Sequence, residues 1–155
     1  MYFLKTKGFQ LIFAKLKNVN MKVGVIGCGT MGSGIAQVAS TANCEVVLYD
    51  LNEGALEKSK VALAKVMARL VEKGRQTDDG AKAIQERITY STTLDALKGA
   101  DFVIEAIVEN LEIKHKLFQS LEALVSKDCI IASNTSSLSI TSLAACLQQP
   151  ERFIG

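Results

Sequence analysis

The sequence predicts an α/β fold in which an open parallel sheet carries helices on both faces. Two observations lead to this prediction: a glycine-rich turn after a short apolar segment, and strand-like segments that then alternate with helix-like ones along the chain. Such alternation is typical of parallel strands, because each crossover needs a connection the size of a helix. With right-handed crossovers the segments form a Rossmann-type, doubly wound sheet, whose ligand crevice lies at the carboxyl ends of the strands.

The first strand and the turn after it are the strongest local signal. An apolar strand over 23–26 runs into Gly27, Gly29 and Gly32 with the spacing G-x-G-x-x-G, and a helix-like segment over 35–39 follows. The three glycines allow, in turn, a tight bend, close approach of a pyrophosphate and close packing of helix on strand. A helix N-terminus adds free N–H groups and a favourable dipole. The alternative is a glycine-rich loop that merely turns a corner.

Asp50 extends this signal to a dinucleotide. It follows a second strand over 45–49 and stands 18 residues after Gly32. A carboxylate at this point can accept hydrogen bonds from both hydroxyls of an adenosine ribose. It would also repel a 2′-phosphate, by roughly 4 kcal/mol per charge pair at ~4 Å in a surface-like dielectric. The sequence therefore predicts a site that prefers NAD to NADP.

The later segments continue the alternation. Helical patterns over 53–73 and 78–87 predict a helical hairpin inserted between the second and third strands. Asn52 is the predicted N-cap and Gly74 the predicted stop of the first helix, and either Thr77 or Asp78 is the predicted N-cap of the second. The other predicted strands cover 88–90, 102–107, 129–133 and the start of a sixth at 153–155, and the other predicted helices cover 93–98, 111–125 and 140–147.

Composition limits the class of protein. At 155 residues and 48% hydrophobic, the chain suits one compact domain. The sequence contains no run of 18 apolar residues, so it predicts no membrane span. Positions 21–155 carry 14 basic and 16 acidic residues, a balance that favours no nucleic-acid partner. The four cysteines form no C-x-x-C pair, which indicates buried thiols in a reducing, cytoplasmic setting rather than disulfides or zinc ligands.

Residues 1–20 form a segment of different composition. They hold four lysines, no acidic residue and four of the nine aromatic residues. Neither a signal peptide nor a transit peptide has this pattern. We interpret 1–20 as an upstream extension or a mis-set start, and 21–155 as the domain. A basic amphipathic helix on a membrane or partner surface is the alternative.

Polar side chains follow two later strands at the predicted crevice. Glu109 and Asn110 follow the fourth strand, and the run 134–137 follows the fifth. These groups could hydrogen-bond a nicotinamide ribose or a substrate oxygen. For 134–137, a plain cap of the following helix is an equally good interpretation.

Four motifs together resemble the 3-hydroxyacyl-CoA dehydrogenases, and in particular the bacterial 3-hydroxybutyryl-CoA dehydrogenases. The motifs are Gly27-Cys28-Gly29-Thr30-Met31-Gly32-Ser33-Gly34-Ile35-Ala36-Gln37, Val46-Val47-Leu48-Tyr49-Asp50, Val103-Ile104-Glu105-Ala106-Ile107-Val108-Glu109-Asn110 and Ser133-Asn134-Thr135-Ser136-Ser137-Leu138. The resemblance covers 21–155. It implies reversible oxidation of an L-3-hydroxyacyl-CoA, with the hydride passing to NAD.

The resemblance also implies roles for individual residues. The glycine loop with Thr30 and Met31 would hold the pyrophosphate, and Asp50 the adenine ribose. Further NAD contacts would come from Glu109 and Lys114. Ser136 would touch both cofactor and substrate. Lys73 would meet the phosphates of the coenzyme A nucleotide, although by itself it is typical of a solvated lysine at a helix end.

The family's catalytic His and its partner Glu lie in a segment that would follow position 155, as does the helical domain through which the family dimerises. The one histidine here, His115, is expected on a solvated helix face. We therefore expect NAD binding with little turnover, as in the cofactor-binding part of such a dehydrogenase. The alternatives are a stand-alone NAD(H)-binding module and, less favoured, another dehydrogenase of the Rossmann class, acting on a hydroxy acid or gulonate.

Overall fold

The computed structural model describes residues 21–155, and the predicted extension over 1–20 lies outside the described residues. Six strands form one parallel sheet in the order β3-β2-β1-β4-β5-β6. The strands are β1 (Lys22–Ile26), β2 (Glu45–Tyr49), β3 (Ile88–Ser91), β4 (Phe102–Glu105), β5 (Ile130–Ser133) and β6 (Phe153–Ile154). The helices are α1 (Thr30–Thr41), α2 (Glu53–Glu72), α3 (Asp78–Glu86), α4 (Leu111–Leu124) and α5 (Ile140–Ala144).

Helices cover the sheet on both faces, so the doubly wound Rossmann-type prediction is confirmed. On one face α1, α2 and α3 pack on the sheet through Ala36, Met67 and Ile84. On the other face α4 and α5 pack through Phe118 and Leu143. Strand β1 lies between β2 and β4, which is the point where the strand order reverses and where such sheets bind their ligands.

The inserted hairpin is confirmed, because α2 and α3 both lie between β2 and β3 and contact each other. Its predicted caps also hold. The Asn52 side chain accepts a hydrogen bond from the Ala55 N–H at 3.0 Å, and Thr77 caps α3 in the same way through Gly80. Gly74 ends α2 with a φ of +64°, the left-handed conformation that glycine adopts readily.

Three predicted boundaries are wrong. Helix α1 begins at Thr30, which lies inside the glycine motif and five residues before the predicted segment. The segment predicted as a helix over 93–98 is a short 3-10 turn, Leu94–Leu97. The helix predicted over 140–147 ends at Ala144, although Leu147 beyond it is still buried in the core. Apolar periodicity therefore extends past the end of this helix, since packing residues need not be helical.

None of the four cysteines forms a disulfide; Cys28 and Cys129 are buried, whereas Cys44 and Cys146 are only partly so. Within residues 21–155 no helix is both long and apolar enough to cross a bilayer. The same residues contain no cluster of His, Cys, Asp and Glu arranged to hold a metal ion.

Candidate NAD-binding site

The glycine turn at the end of β1 is shaped by steric demands that only glycine meets. Gly27 has a φ of +98°, and a Cβ there would lie 2.6 Å from the carbonyl oxygen of Ala106. A Cβ on Gly32 would overlap the carbonyl oxygen of Gly27. Gly32 therefore sits inside α1 despite its low helix propensity, because the first turn of the helix touches the loop it leaves.

The same turn leaves room for a ligand. A Cβ added at Gly29 would meet nothing within 4 Å, so this part of the loop faces open space. Gly29 is also the N-cap of α1 and supplies no side chain to the first N–H groups of the helix. An anion at this point would find free donors and the positive end of the helix dipole. The loop therefore fits the pyrophosphate of a dinucleotide.

Asp50 lies at the carboxyl end of β2, next to this loop. One carboxylate oxygen accepts a hydrogen bond from the backbone N–H of Cys28 and the other from that of Asn52, each at 2.9 Å. Burial acts to raise the pKa of Asp50, but these backbone hydrogen bonds outweigh it, so the pKa lies below its ordinary value. Asp50 is therefore a fixed anion that ties the glycine loop to β2, a structural role that the sequence analysis missed.

The thiol of Cys28 belongs to the same arrangement. Burial, together with the hydrogen bond to Asp50 and its negative charge, raises the pKa of Cys28 to about 11. The thiol therefore stays protonated at neutral pH, and it acts in the turn as a small, weak hydrogen-bond donor to Asp50.

The polar residues predicted at the carboxyl ends of β4 and β5 do lie together. The Thr135 hydroxyl donates to a carboxylate oxygen of Glu109 at 2.9 Å, and the Asn134 N–H donates to the carbonyl of Glu105 at 2.8 Å. The Thr135 hydrogen bond lowers the pKa of Glu109 against a smaller effect of burial, with a further contribution from Lys114. Ser136 is exposed beside them.

Two other polar residues near the ends of β4 and β5, Asn110 and Ser139, are helix N-caps. Asn110 caps α4, where its side chain accepts from the Ile113 N–H at 3.0 Å. Helix α5 is capped by Ser139, through the Ser142 N–H at 3.3 Å. The interpretation of 134–137 as the cap of this helix is therefore wrong, since the cap lies two residues further on.

Lys114, predicted as a cofactor contact, is a buried bridge. Its side chain is 1% exposed, and its ammonium nitrogen lies 3.0 Å from Glu105 Oε1 and 3.1 Å from Glu109 Oε2. Glu105, which is 0% exposed, belongs to this site and was not predicted from the sequence. The available signal was one acidic residue inside the apolar run 102–107, because a charge in a buried strand needs a partner.

Lys73 and His115 lie outside the ion-pair cluster of Glu105, Glu109 and Lys114. Lys73 is the C-cap of α2 and is exposed. His115 is half-buried rather than solvated as expected, and its Nε2 lies 2.9 Å from the Ser142 carbonyl oxygen of α5. The imidazole is thus engaged between α4 and α5.

Two cavities open beside α1. One, of about 510 Å³, lies between α1 and α2 and is lined by the glycine loop (Cys28, Gly29) together with Lys58 and Val66. The other, of about 560 Å³, lies on the far side of α1 over β1, β4 and β5, with an apolar lining that includes Val38, Phe102 and Ile130. A charged nucleotide fits the first environment, because the second offers few hydrogen-bond partners.

A parallel sheet with its glycine turn at the switch point and an acid at the end of β2 defines a dinucleotide-binding domain of the Rossmann class. Residues 22–155 match the family described as 3-hydroxyacyl-CoA dehydrogenase, NAD binding domain. The chain belongs to this family, and its cofactor is NAD.

Similar proteins agree with this assignment. The chain is 45% identical over 134 residues to a 3-hydroxybutyryl-CoA dehydrogenase from Bradyrhizobium diazoefficiens, covering 86% of this chain and 46% of that protein. A solved 3-hydroxybutyryl-CoA dehydrogenase from Ralstonia eutropha superposes with a TM-score of 0.82 at 41% identity, over 85% of this chain and 47% of that one. The corresponding enzyme from Escherichia coli K12 gives a TM-score of 0.84 at 38% identity, over 86% and 28%. The chain thus spans about half the length of the curated relatives it matches.

Proposed function

We propose that this chain supplies the NAD-binding part of an L-3-hydroxyacyl-CoA dehydrogenase, with 3-hydroxybutyryl-CoA or a close analogue as substrate. The observation that carries the proposal is the 45% identity to a 3-hydroxybutyryl-CoA dehydrogenase over nearly the whole described domain. Four cysteines that form no disulfide fit a reducing, cytoplasmic setting. Dimerisation through a second, helical domain stays a prediction.

The cofactor-binding roles follow from the site described above. Gly27, Gly29 and Gly32, with the N-terminal turn of α1 that holds Thr30 and Met31, would bind the pyrophosphate. Asp50 would accept from the adenosine ribose with the lone pairs that its backbone hydrogen bonds leave free. Glu109, Ser136 and the supporting Lys114 would hold the nicotinamide half at the carboxyl ends of β4 and β5.

The bound cofactor would accept a hydride from the carbon that carries the 3-hydroxyl group. The exposed Ser136 hydroxyl can donate to, or accept from, the oxygen on that carbon, and so orient it. The hydroxyl proton also needs an acceptor. His115 does not suit this role, because its ring contacts the backbone of α5.

Turnover by the 155-residue polypeptide on its own should therefore be low. Loss of a general base alone typically costs 10²- to 10⁴-fold. Assays with acetoacetyl-CoA and NADH check this expectation, and rates normal for an intact dehydrogenase would contradict it.

Substitution of Lys73 tests whether the substrate is an acyl-CoA. An exposed lysine at the end of α2 could meet the phosphates of coenzyme A, so Lys73→Ala should weaken CoA binding by about tenfold, the value of one charge-assisted contact. The matched control is Lys82→Ala, since Lys82 is exposed on the same hairpin and its ion-pair partner among residues 21–155 is Glu86, at 3.8 Å. Isothermal titration with CoA measures both variants.

Each outcome distinguishes between the candidate functions. Loss of CoA affinity in Lys73→Ala alone supports the proposed substrate class. NADH binding with no CoA binding at all would favour the alternative, a stand-alone NAD(H)-binding module. Equal losses in both variants would remove the assigned role of Lys73.

A further inference from the structure

A buried carboxylate lies beneath the cofactor-facing edge of the sheet. Glu105 is the last residue of β4 and is 0% exposed, and its partner Lys114 on α4 is 1% exposed. Their charged atoms are 3.0 Å apart. A buried ion pair is weak evidence for stability, because apolar residues of similar size often stabilise a fold as well or better. The stability of the fold therefore does not explain why this ion pair is buried. The hydrogen bonds of the Glu105 carboxylate give a different explanation.

The carboxylate of Glu105 connects two loops. Its Oε1 accepts from the Ile107 N–H at 2.7 Å, within the loop after β4. Its Oε2 accepts from the Ser133 hydroxyl at 2.6 Å, at the end of β5. The Ser133 oxygen in turn accepts from the Thr135 N–H at 3.3 Å, so the connection continues into the loop that carries Ser136.

Lys114 makes a second connection between the same loops. Its ammonium nitrogen lies 3.1 Å from Glu109 Oε2, and this oxygen also accepts from the Thr135 hydroxyl at 2.9 Å. The backbone N–H group of Ser136 also contributes to the lowered pKa of Glu109. Thr135 is thus held from its backbone through Ser133 and from its side chain through Glu109, and both routes lead back to Glu105.

We propose that Glu105 is a positioning residue for the nicotinamide half of the cofactor. It is fully buried, so it acts through Lys114 and Ser133, which set the places of Glu109 and of the loop that carries Ser136. Lys114 serves in the same way as an inner support, because its ammonium group is enclosed by two carboxylates. This inference rests on the proposed function, which places the nicotinamide half at the ends of β4 and β5.

The charge balance predicts what happens when Glu105 loses its charge. The Lys114 ammonium pairs with two carboxylates, those of Glu105 and Glu109. In Glu105→Gln only the carboxylate of Glu109 remains of these two. The Glu109 carboxylate should then pair more closely with Lys114, and its hydrogen bond with Thr135 should weaken. The adenine half is bound by other residues, Asp50 and the glycine loop, and should not be affected.

The experiment compares two ligands on the full 155-residue chain. NADH carries both halves of the cofactor, whereas ADP carries only the adenosine and the diphosphate. Glu105→Gln should weaken NADH binding by about tenfold, the equivalent of one charge-assisted hydrogen bond, and change ADP binding less than about twofold. Fluorescence titration measures NADH, calorimetry measures ADP, and thermal unfolding monitors the fold.

Glu122→Gln is the matched control. Glu122 also lies on α4 and is largely buried; it pairs with Arg152 at 3.3 Å and accepts from the N–H groups of Gln148 and Gln149. Its partners belong to the segment before β6 and not to the loops after β4 and β5. The control should lower the melting temperature and leave both affinities unchanged.

A milder variant keeps the test decisive if Glu105→Gln does not fold. Ser133→Ala removes one hydrogen bond to Glu105 and should weaken NADH binding in the same sense, again with ADP spared. Unchanged NADH affinity in the folded variants, or equal losses for NADH and ADP, would overturn the positioning role alone. Failure of the unmodified chain to bind NADH would overturn the proposed function, and this inference with it.

Discussion

The Asp50 carboxylate ties the glycine loop to β2, and this structural role is compatible with the cofactor role proposed for it. Its hydrogen bonds from the backbone of Cys28 and Asn52 fix the turn between β1 and α1, and its low pKa keeps it anionic. The remaining lone pairs are available to a ribose. Under the proposed function, cofactor choice is therefore coupled to the geometry of the glycine loop, because one side chain contributes to both.

Asp50→Asn should reduce the preference for NADH over NADPH by at least tenfold, because it removes a charge that repels a 2′-phosphate. NADH affinity should also fall, since an amide cannot accept from both backbone groups with its two ends. Titrations with both cofactors measure the ratio. Asp95→Asn is the control, because Asp95 is an exposed residue whose ion-pair partner is Lys98. An unchanged ratio in Asp50→Asn would contradict the assigned role.

Cys28 should react slowly with alkylating reagents. With a pKa of about 11, its thiolate fraction at pH 8 is roughly a hundredfold below that of a thiol with the ordinary value of 9.0. Iodoacetamide labelling followed by mass spectrometry measures the rate. Asp50→Asn should speed the labelling, because the neighbouring charge contributes to the raised pKa. Rapid labelling of Cys28 in the folded protein would show that the thiol is not shielded as described.

At the scale of secondary-structure elements, the position of α1 depends on glycine packing. The helix starts inside the glycine motif, where Gly32 touches the Gly27 carbonyl, whereas Gly34 is exposed with no atom within 4 Å of an added Cβ. Two glycines of one helix thus face opposite steric conditions. Their substitution separates backbone preference from packing.

Gly32→Ala should destabilise the fold by about 1–3 kcal/mol, the usual range for overpacking, because the new methyl group forces α1 away from the loop. Gly34→Ala should instead stabilise it, by up to about 1 kcal/mol, since alanine is the better helix former and the site is open. Urea unfolding measures both variants. Equal effects of the same sign would refute the packing argument.

At the scale of the whole molecule, three described carboxylates have lowered pKa values: Asp50, Glu109 and Glu122. For Glu122, burial acts to raise the pKa but is outweighed by the N–H groups of Gln148 and Gln149 and by Arg152. A carboxyl with a lowered folded pKa stabilises the fold above its unfolded pKa. This contribution is lost as the pH falls through the folded value, because the unfolded state binds protons first.

The melting temperature should therefore fall as the pH decreases below about 4.5, the ordinary pKa of a glutamate. Glu122→Gln should make this fall shallower, because one of the three groups no longer titrates. Calorimetry between pH 7 and pH 3 measures both proteins. A melting temperature that rises on acidification would contradict the stabilising role of these three carboxylates.

An apolar groove lies beside α1 among the described residues. Val38 on its rim is 70% exposed, and Phe102 and Ile130 lie within it. Exposed apolar surface of this kind marks an interaction face in many proteins. Its apolar lining distinguishes it from the cavity beside the glycine loop, which is lined in part by polar residues.

The sequence predicted the local features well, because the signals for them are local. The glycine spacing, the acid after β2, the caps Asn52 and Thr77 and the order of the elements each depend on a few neighbouring residues. The early start of α1 and the early end of α5 were missed, because packing against the loop and the core overrides local propensity and periodicity.

By itself, therefore, the sequence determined the class of fold, the glycine turn after β1 and the acid beside it. Only the tertiary structure decided that Lys114 is enclosed by Glu105 and Glu109, and that Ser133 and Thr135 complete the same network. The physical reason is distance along the chain. Glu105 and Ser133 lie 28 residues apart and meet only because β4 and β5 are neighbours in the sheet, a pairing that no periodicity in either segment encodes.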